Sequence, residues 1–290
     1  MIDRESLPVT ANPLGLNGIE YVELATTRPQ ALGQVLEQMG FKPVARHRSR
    51  EVLLYRQGCM NLVLNAHPDD TRVSATADGA PVISAVAFRV RNARGAYQRC
   101  VELGAWEAPS HAQAMELNVP AIHGPGGSRY YFVDSTHKFS IFDIDFTPIP
   151  SVDTAPAALA GMSYFGVVQY IGASRTADWC AFYSSLFGFE PIPDEQRFGI
   201  MPKGSLLKSP CGKFLWQLVE PDPLVEAYDS REELHRIGLG TPDVMAAVKL
   251  LQARGVAFVD SAKLHPEDRG ALTQTWLGSV SFELVHTAAE

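Results

Sequence analysis

His235 and Glu283 lie near the end of this 290-residue chain, each on a predicted strand. An imidazole and a carboxylate on neighbouring strands can share one divalent cation. Protein donors gathered on one side of such an ion leave the other side open for chemistry. Glu283 sits between Phe282 and Leu284 in the apolar run SVSFELVH. A carboxylate aimed into an apolar cavity needs a cation or several hydrogen-bond donors. His235 begins the strand of LHRIGL.

The elements that must position these groups repeat. A segment of about sixty residues recurs four times, and such periodicity decides a fold before any local reading does. The segments are GIEYVELATTRPQALGQVLEQMGF (18–41), VISAVAFRVRNARGAYQRCVELGA (82–105), YFGVVQYIGASRTADWCAFYSSLFGF (164–189) and ELHRIGLGTPDVMAAVKLLQARGVAF (233–258). Each reads as an alternating strand, an amphipathic helix, a glycine stop and further strands. In the last, Val244, Val248 and Leu251 share one helix face, Asp243 is placed to cap, and Gly255 follows the helix. Gly40, Gly104 and Gly188 mark the other helix ends. NLVLN (61–65), FSIFDIDF (139–146), KFLWQLVE (213–220) and VSFELVH (280–286) read as closing strands. A βαβββ unit leaves an open edge and an apolar face, so the units are expected to pair. The expectation is an α+β fold of four βαβββ modules in two open-barrel domains, over 1–150 and 162–290, joined by the Pro- and Ala-rich stretch 151–161.

Composition narrows the function. The net charge is −7 with no long basic run, which argues against nucleic-acid binding. No run of about 18 apolar residues offers a membrane span. The start, MIDRESLPVT, is acidic and lacks an apolar core, so a cytoplasmic protein is expected. The four cysteines form no CxxC and read as reduced, mostly buried thiols. GPGG (124–127) lacks the Lys-Ser/Thr of a phosphate loop and reads as a tight turn.

The runs NPLGLNGIEYVELAT (12–26), MGFKPVARHRSREVLLYRQGCMNLVLN (39–65), FRVRNARGAYQRCVELGA (88–105), MELNVPAIHGPGG (115–127) and IFDIDF (141–146) resemble bacterial 4-hydroxyphenylpyruvate dioxygenase, of the vicinal-oxygen-chelate superfamily. Further back the resemblance continues through WCAFYSSLFGF (179–189), LKSPCG (207–212), LHRIGL (234–239) and SVSFELV (279–285). It implies a largely structural first pair and a second pair holding Fe(II) on two His and one Glu, open to an α-keto acid and dioxygen. Carried over, the second His falls on His235 and the Glu on Glu283, while the first His falls on Gly166 or Val168. Glyoxalase I, in the same superfamily, uses Gln, His and Glu around Zn or Ni. That pattern implies a metal site of Gln217, His235 and Glu283, with Gln169 as a further candidate. Gln274, in LTQTW, matches a substrate-contacting Gln of the family.

The expected function is a metal-dependent oxidoreductase, a dioxygenase acting on a small α-keto acid or aromatic substrate, with Glu283 and Gln274 as catalytic candidates. Zn, Ni, Co or Mn in place of iron would make it a non-oxidative isomerase, lyase or hydrolase. Without metal it would be a small-molecule binding protein. Self-association into a homo-oligomer is a further expectation of the resemblance.

Overall fold

The computed structural model describes residues 11–67, 79–109, 112, 116–134, 140–193, 204–221, 231–259 and 270–287. Each unit runs from a strand through a helix and back to the flank of its own first strand. A parallel return of this kind needs a crossover, and the helix supplies it. The first unit comprises β1 (Ile19–Ala25), α1 (Pro29–Gln38), β2 (Lys42–His47), β3 (Val52–Gln57) and β4 (Met60–Asn65), with β4 parallel to β1. The second comprises β5 (Val82–Val90), α2 (Ala93–Glu102), β6 (Ala121–His123) and β7 (Arg129–Asp134), with β7 parallel to β5. After α3 (Ile141–Asp145) and β8 (Phe146–Pro148), the third comprises β9 (Ser163–Tyr170), α4 (Thr176–Phe187), β10 (Glu190–Pro191), β11 (Ser205–Lys208) and β12 (Leu215–Val219). The fourth comprises β13 (Glu233–Thr241), α5 (Val244–Ala253), β14 (Gly270–Leu272) and β15 (Phe282–His286).

Units pair through their first strands, β1 with β5 and β9 with β13, both antiparallel. The front sheet has the order β6-β7-β5-β1-β4-β3-β2-β8 and the rear sheet β10-β11-β12-β9-β13-β15-β14. Neither closes on itself, as expected for open barrels. The helix signals hold locally. Asn92 and Asp243 accept hydrogen bonds from the N–H groups of Gly95 and Ala246, at 3.0 and 2.8 Å. Gly255 ends α5 at φ +89°, a left-handed conformation that only glycine adopts without a Cβ penalty.

One strand expectation fails. In FSIFDIDF, Ile141–Asp145 is a short helix rather than a strand. The Ser140 hydroxyl accepts from the Phe142 N–H and the Asp143 carboxylate accepts from the Ser140 N–H, at 3.2 and 2.9 Å. This reciprocal cap satisfies the first turn locally and overrides the alternation. The strand starts only at Phe146, on the front-sheet edge beside β2. Phe139 lies outside the described residues.

The main hydrophobic core belongs to both halves. Phe88 on β5 packs against Phe187, Phe214 and Trp216 of the third unit, with ring centroids 5.4, 5.8 and 6.1 Å apart. Tyr130 on β7 meets Trp216 edge-on at 5.7 Å. Aromatic pairs of this kind add about 0.5–1.5 kcal/mol each beyond the area they bury. All four cysteines are free thiols, but only Cys100 is buried and Cys59 is exposed, so the expectation of mostly buried thiols is corrected. Among the described residues no helix is long and apolar enough to cross a membrane.

Candidate functional site in the rear sheet

Strand register defines the concave face of the rear sheet. Leu215 on β12 pairs with Gly166 on β9, Gly166 with Gly238 on β13, Gly238 with Glu283 on β15, and Glu283 with Leu272 on β14. One step along the strands, Gln217 pairs with Val168, and Val168 with Arg236. Phe165, Leu206, Leu215 and Val285 form a small apolar cluster. Their alternate neighbours Val167, Trp216, Leu218, Ile237, Leu239, Phe282 and Leu284 belong to the main core on the opposite face.

Glu283 is on this concave face, buried to 4% exposure. Its partner is Arg236, not His235: the guanidinium Nε lies 3.3 Å from Glu283 Oε2, with both side chains almost fully buried. The contact is a close ion pair without hydrogen-bond alignment. Among the described residues, Nε and Nη2 of Arg236 and Oε2 of Glu283 find no hydrogen-bond partner. Burial pushes the Glu283 carboxyl above its usual range, and the neighbouring guanidinium offsets part of the rise.

The other candidates are dispersed. The β9–β13 register shifts between Leu234 and Arg236, which leaves His235 as the bulged residue. Its imidazole lies flat on the Tyr170 ring, with centroids 4.0 Å apart, and Nδ1 is 3.6 Å from a Glu233 oxygen. The structure thus gives the two expected ligands different partners, Tyr170 and Glu233 for His235 and Arg236 for Glu283.

Gln169 points the other way, into the shared core. Its Oε1 accepts from the Tyr183 hydroxyl at 2.6 Å and from Trp216 Nε1 at 3.0 Å. Tyr130 in turn donates to the Tyr183 oxygen at 2.6 Å. Gln169 is thus a buried structural acceptor rather than a metal donor. Gln169→Leu, which strands both donors, should lower stability by about 1–3 kcal/mol. A urea titration followed by tryptophan fluorescence measures it.

Gln217 is half-buried in the concave row, two residues beyond Leu215. Gln274 is exposed past the end of β14, where its N–H donates to the Ala257 carbonyl at 2.9 Å. It is not among the buried groups around Glu283.

The three-ligand centre implied by the resemblance does not fit this donor set. Gly166 offers no side chain, Val168 offers no donor, and the cationic partner of Glu283 is a guanidinium. Among the described residues no three His, Cys, Asp or Glu side chains come together as a metal site. Arg236 was missed although its signal was present. In RIGLGT, Ile237 and Leu239 alternate with Arg236, Gly238 and Gly240, so two-residue periodicity places Arg236 on the concave face. The front sheet also carries a cavity of about 160 Å³, lined in part by Tyr21, Glu23, Asn65, Arg129 and Tyr131. Polar groups of its lining are engaged with one another: Asn65 donates to Glu23 at 3.4 Å and Arg50 to Glu116 at 3.0 Å.

Residues 10–147 match the family model for the N-terminal part of hydroxyphenylpyruvate dioxygenase. The chain is 42% identical to 4-hydroxyphenylpyruvate dioxygenase of Pseudomonas sp. strain P.J. 874 over 183 residues, covering 62% of this chain and 51% of that protein. It is 32% identical to the 4-hydroxyphenylpyruvate dioxygenase of Pseudomonas aeruginosa over 274 residues, covering 88% of this chain and 75% of the relative. The chain thus spans about half the length of the first relative and three quarters of the second. A mutant of 4-hydroxymandelate synthase from Streptomyces coelicolor has the same fold, at a TM-score of 0.73 and 19% identity, covering 95% of this chain and 94% of that one. Similarity of this extent, running through both pairs of units, places the sequence: the chain belongs to the 4-hydroxyphenylpyruvate dioxygenase family.

Proposed function

We propose that the protein is a 4-hydroxyphenylpyruvate-dioxygenase-like protein whose rear sheet takes a small α-keto acid or related aromatic acid. One observation carries this reading. The similarity to dioxygenases extends over 88% of the chain and so includes the rear units, not only the front pair. In its oxidative form the reading calls for a divalent ion, Fe(II) by family resemblance, with Zn, Ni, Co or Mn as the non-oxidative variants. Glu283 is the carboxylate such an ion would need, and the side chains around it, as arranged, do not complete its shell.

A second reading, metal-free binding of the same class of acid, is favoured by the Arg236–Glu283 pair. The two separate in one assay. Purified protein supplied with Fe(II) and an aryl-pyruvate is placed in an oxygen electrode, with Glu283→Gln as control. Uptake that Glu283→Gln abolishes supports the dioxygenase. No uptake, with binding that persists in EDTA, supports the metal-free protein. Neither uptake nor binding overturns both.

A further inference from the structure

Arg236 and Glu283 are 3% and 4% exposed, yet two nitrogens and one oxygen of the pair have no hydrogen-bond partner among the described residues. An unsatisfied buried polar group costs about 1–3 kcal/mol, and more when charged. A buried ion pair is also often no better for stability than a well-packed apolar pair. Stability alone therefore does not account for this pair, and its unfilled hydrogen-bonding capacity points to a ligand.

We propose that the pair is a recognition site for a small carboxylic acid carrying a hydroxyl or enol group on the neighbouring carbon, its carboxylate taken by Arg236 and its hydroxyl by Glu283. The inference rests on the reading of the rear face as a small-molecule site, and it replaces chelation by direct side-chain recognition.

The chemistry matches atom by atom. A guanidinium presents planar donors suited to carboxylate oxygens, and Nη2 is the donor left unused. A carboxylate accepts a hydroxyl hydrogen, and Oε2 is the acceptor left unused. An acid lacking the hydroxyl would leave that acceptor unpaired, which is the main penalty a hydrogen-bonding site imposes on a wrong ligand.

The surroundings suit an apolar remainder. Phe165, Leu206, Leu215 and Val285 line the same face. Gly238 lies between them and the pair: a Cβ there would be 3.3 Å from Glu283 Oε1 and 3.3 Å from Phe165 Cδ1, tighter than ordinary contact. The absence of a side chain at this position keeps the carboxyl and the ring within reach of one ligand.

The test is calorimetric titration of the full chain in EDTA with 3-phenyllactate and with 3-phenylpropionate, which lacks the hydroxyl. Phenyllactate should bind, and phenylpropionate should bind about tenfold or more weakly. Arg236→Gln should weaken phenyllactate binding by about a hundredfold, as expected for loss of charge-assisted hydrogen bonds. The double variant Arg236→Met/Glu283→Leu, in which no charge is left buried, keeps the fold and should not bind. Phenyllactate binding of equal strength in the double variant overturns the inference, as does equal affinity for the two acids. Binding that appears only when a divalent metal replaces EDTA also overturns it, while leaving the small-molecule reading standing. No binding of either acid under any condition removes that reading as well.

Discussion

Arg236→Met should lower the stability of the protein by about 3–5 kcal/mol at neutral pH, because it leaves Glu283 as an uncompensated buried charge. The double variant Arg236→Met/Glu283→Leu should recover most of the loss, since an apolar pair of similar volume is often neutral or stabilising. The loss in the single variant should also depend on pH in a definite direction. Burial raises the Glu283 carboxyl above its ordinary 4.5, and Arg236 is what holds the rise down. Without Arg236 the folded-state value moves further up, above the unfolded one. A group shifted this way withdraws stability as pH rises through its folded value, and costs nothing through ionisation below the unfolded value. The variant should therefore be closest to wild type in acid and furthest from it in alkali. Urea unfolding at several pH values from about 4.5 upward measures this. A single variant that loses less than about 1 kcal/mol at pH 8 would mean that the pair is not buried as described.

Gly166→His should fail to rebuild the family's metal ligand and should cost about 3 kcal/mol or more, at or beyond the upper end of overpacking penalties. Gly166 is flanked on both sides in the sheet, by Leu215 and Gly238. A Cβ at this position would meet the Leu215 carbonyl oxygen at 2.2 Å and its carbon at 2.9 Å. Those atoms belong to backbone and cannot rotate away, so any side chain forces β9 and β12 apart. Thermal unfolding reads the destabilisation, and Co(II) titration followed by visible absorption reads the ligand field. A folded Gly166→His with wild-type midpoint and a new Co(II) band would show instead that β9 accepts the donor implied by the family resemblance.

How much could be read beforehand follows from which interactions are local. The four strand–helix–strand units, the caps at Asn92 and Asp243 and the glycine after each helix are short-range features, so one sequence suffices to place them. Ile141–Asp145 was misread because alternation and capping competed within eight residues, and the cap won. The site was harder. The alternation of Ile237 and Leu239 with Arg236 carries the signal for Arg236, but the bulge at His235 between β9 and β13, which breaks the alternation upstream, is not announced by the sequence. Gln169, a candidate metal donor by sequence, instead faces the shared core, and the partners that claim it, Tyr183 and Trp216, come from a helix and a strand well downstream.

The aromatic cluster that Phe88 and Tyr130 share with Phe187, Phe214 and Trp216 bears on how the two halves depend on each other. The front sheet holds none of the candidate donors, yet it is one wall of the room in which the rear sheet's helix is housed. Gln169 is the polar pin on the rear side, tied through Tyr183 to Tyr130 of that wall, and it sits on the same strand as Gly166. A lesion on the front side, far from any reacting atom, would loosen the strand that carries the rear floor. The front half thus acts as a foundation rather than an ornament, and the two halves should be lost together or kept together.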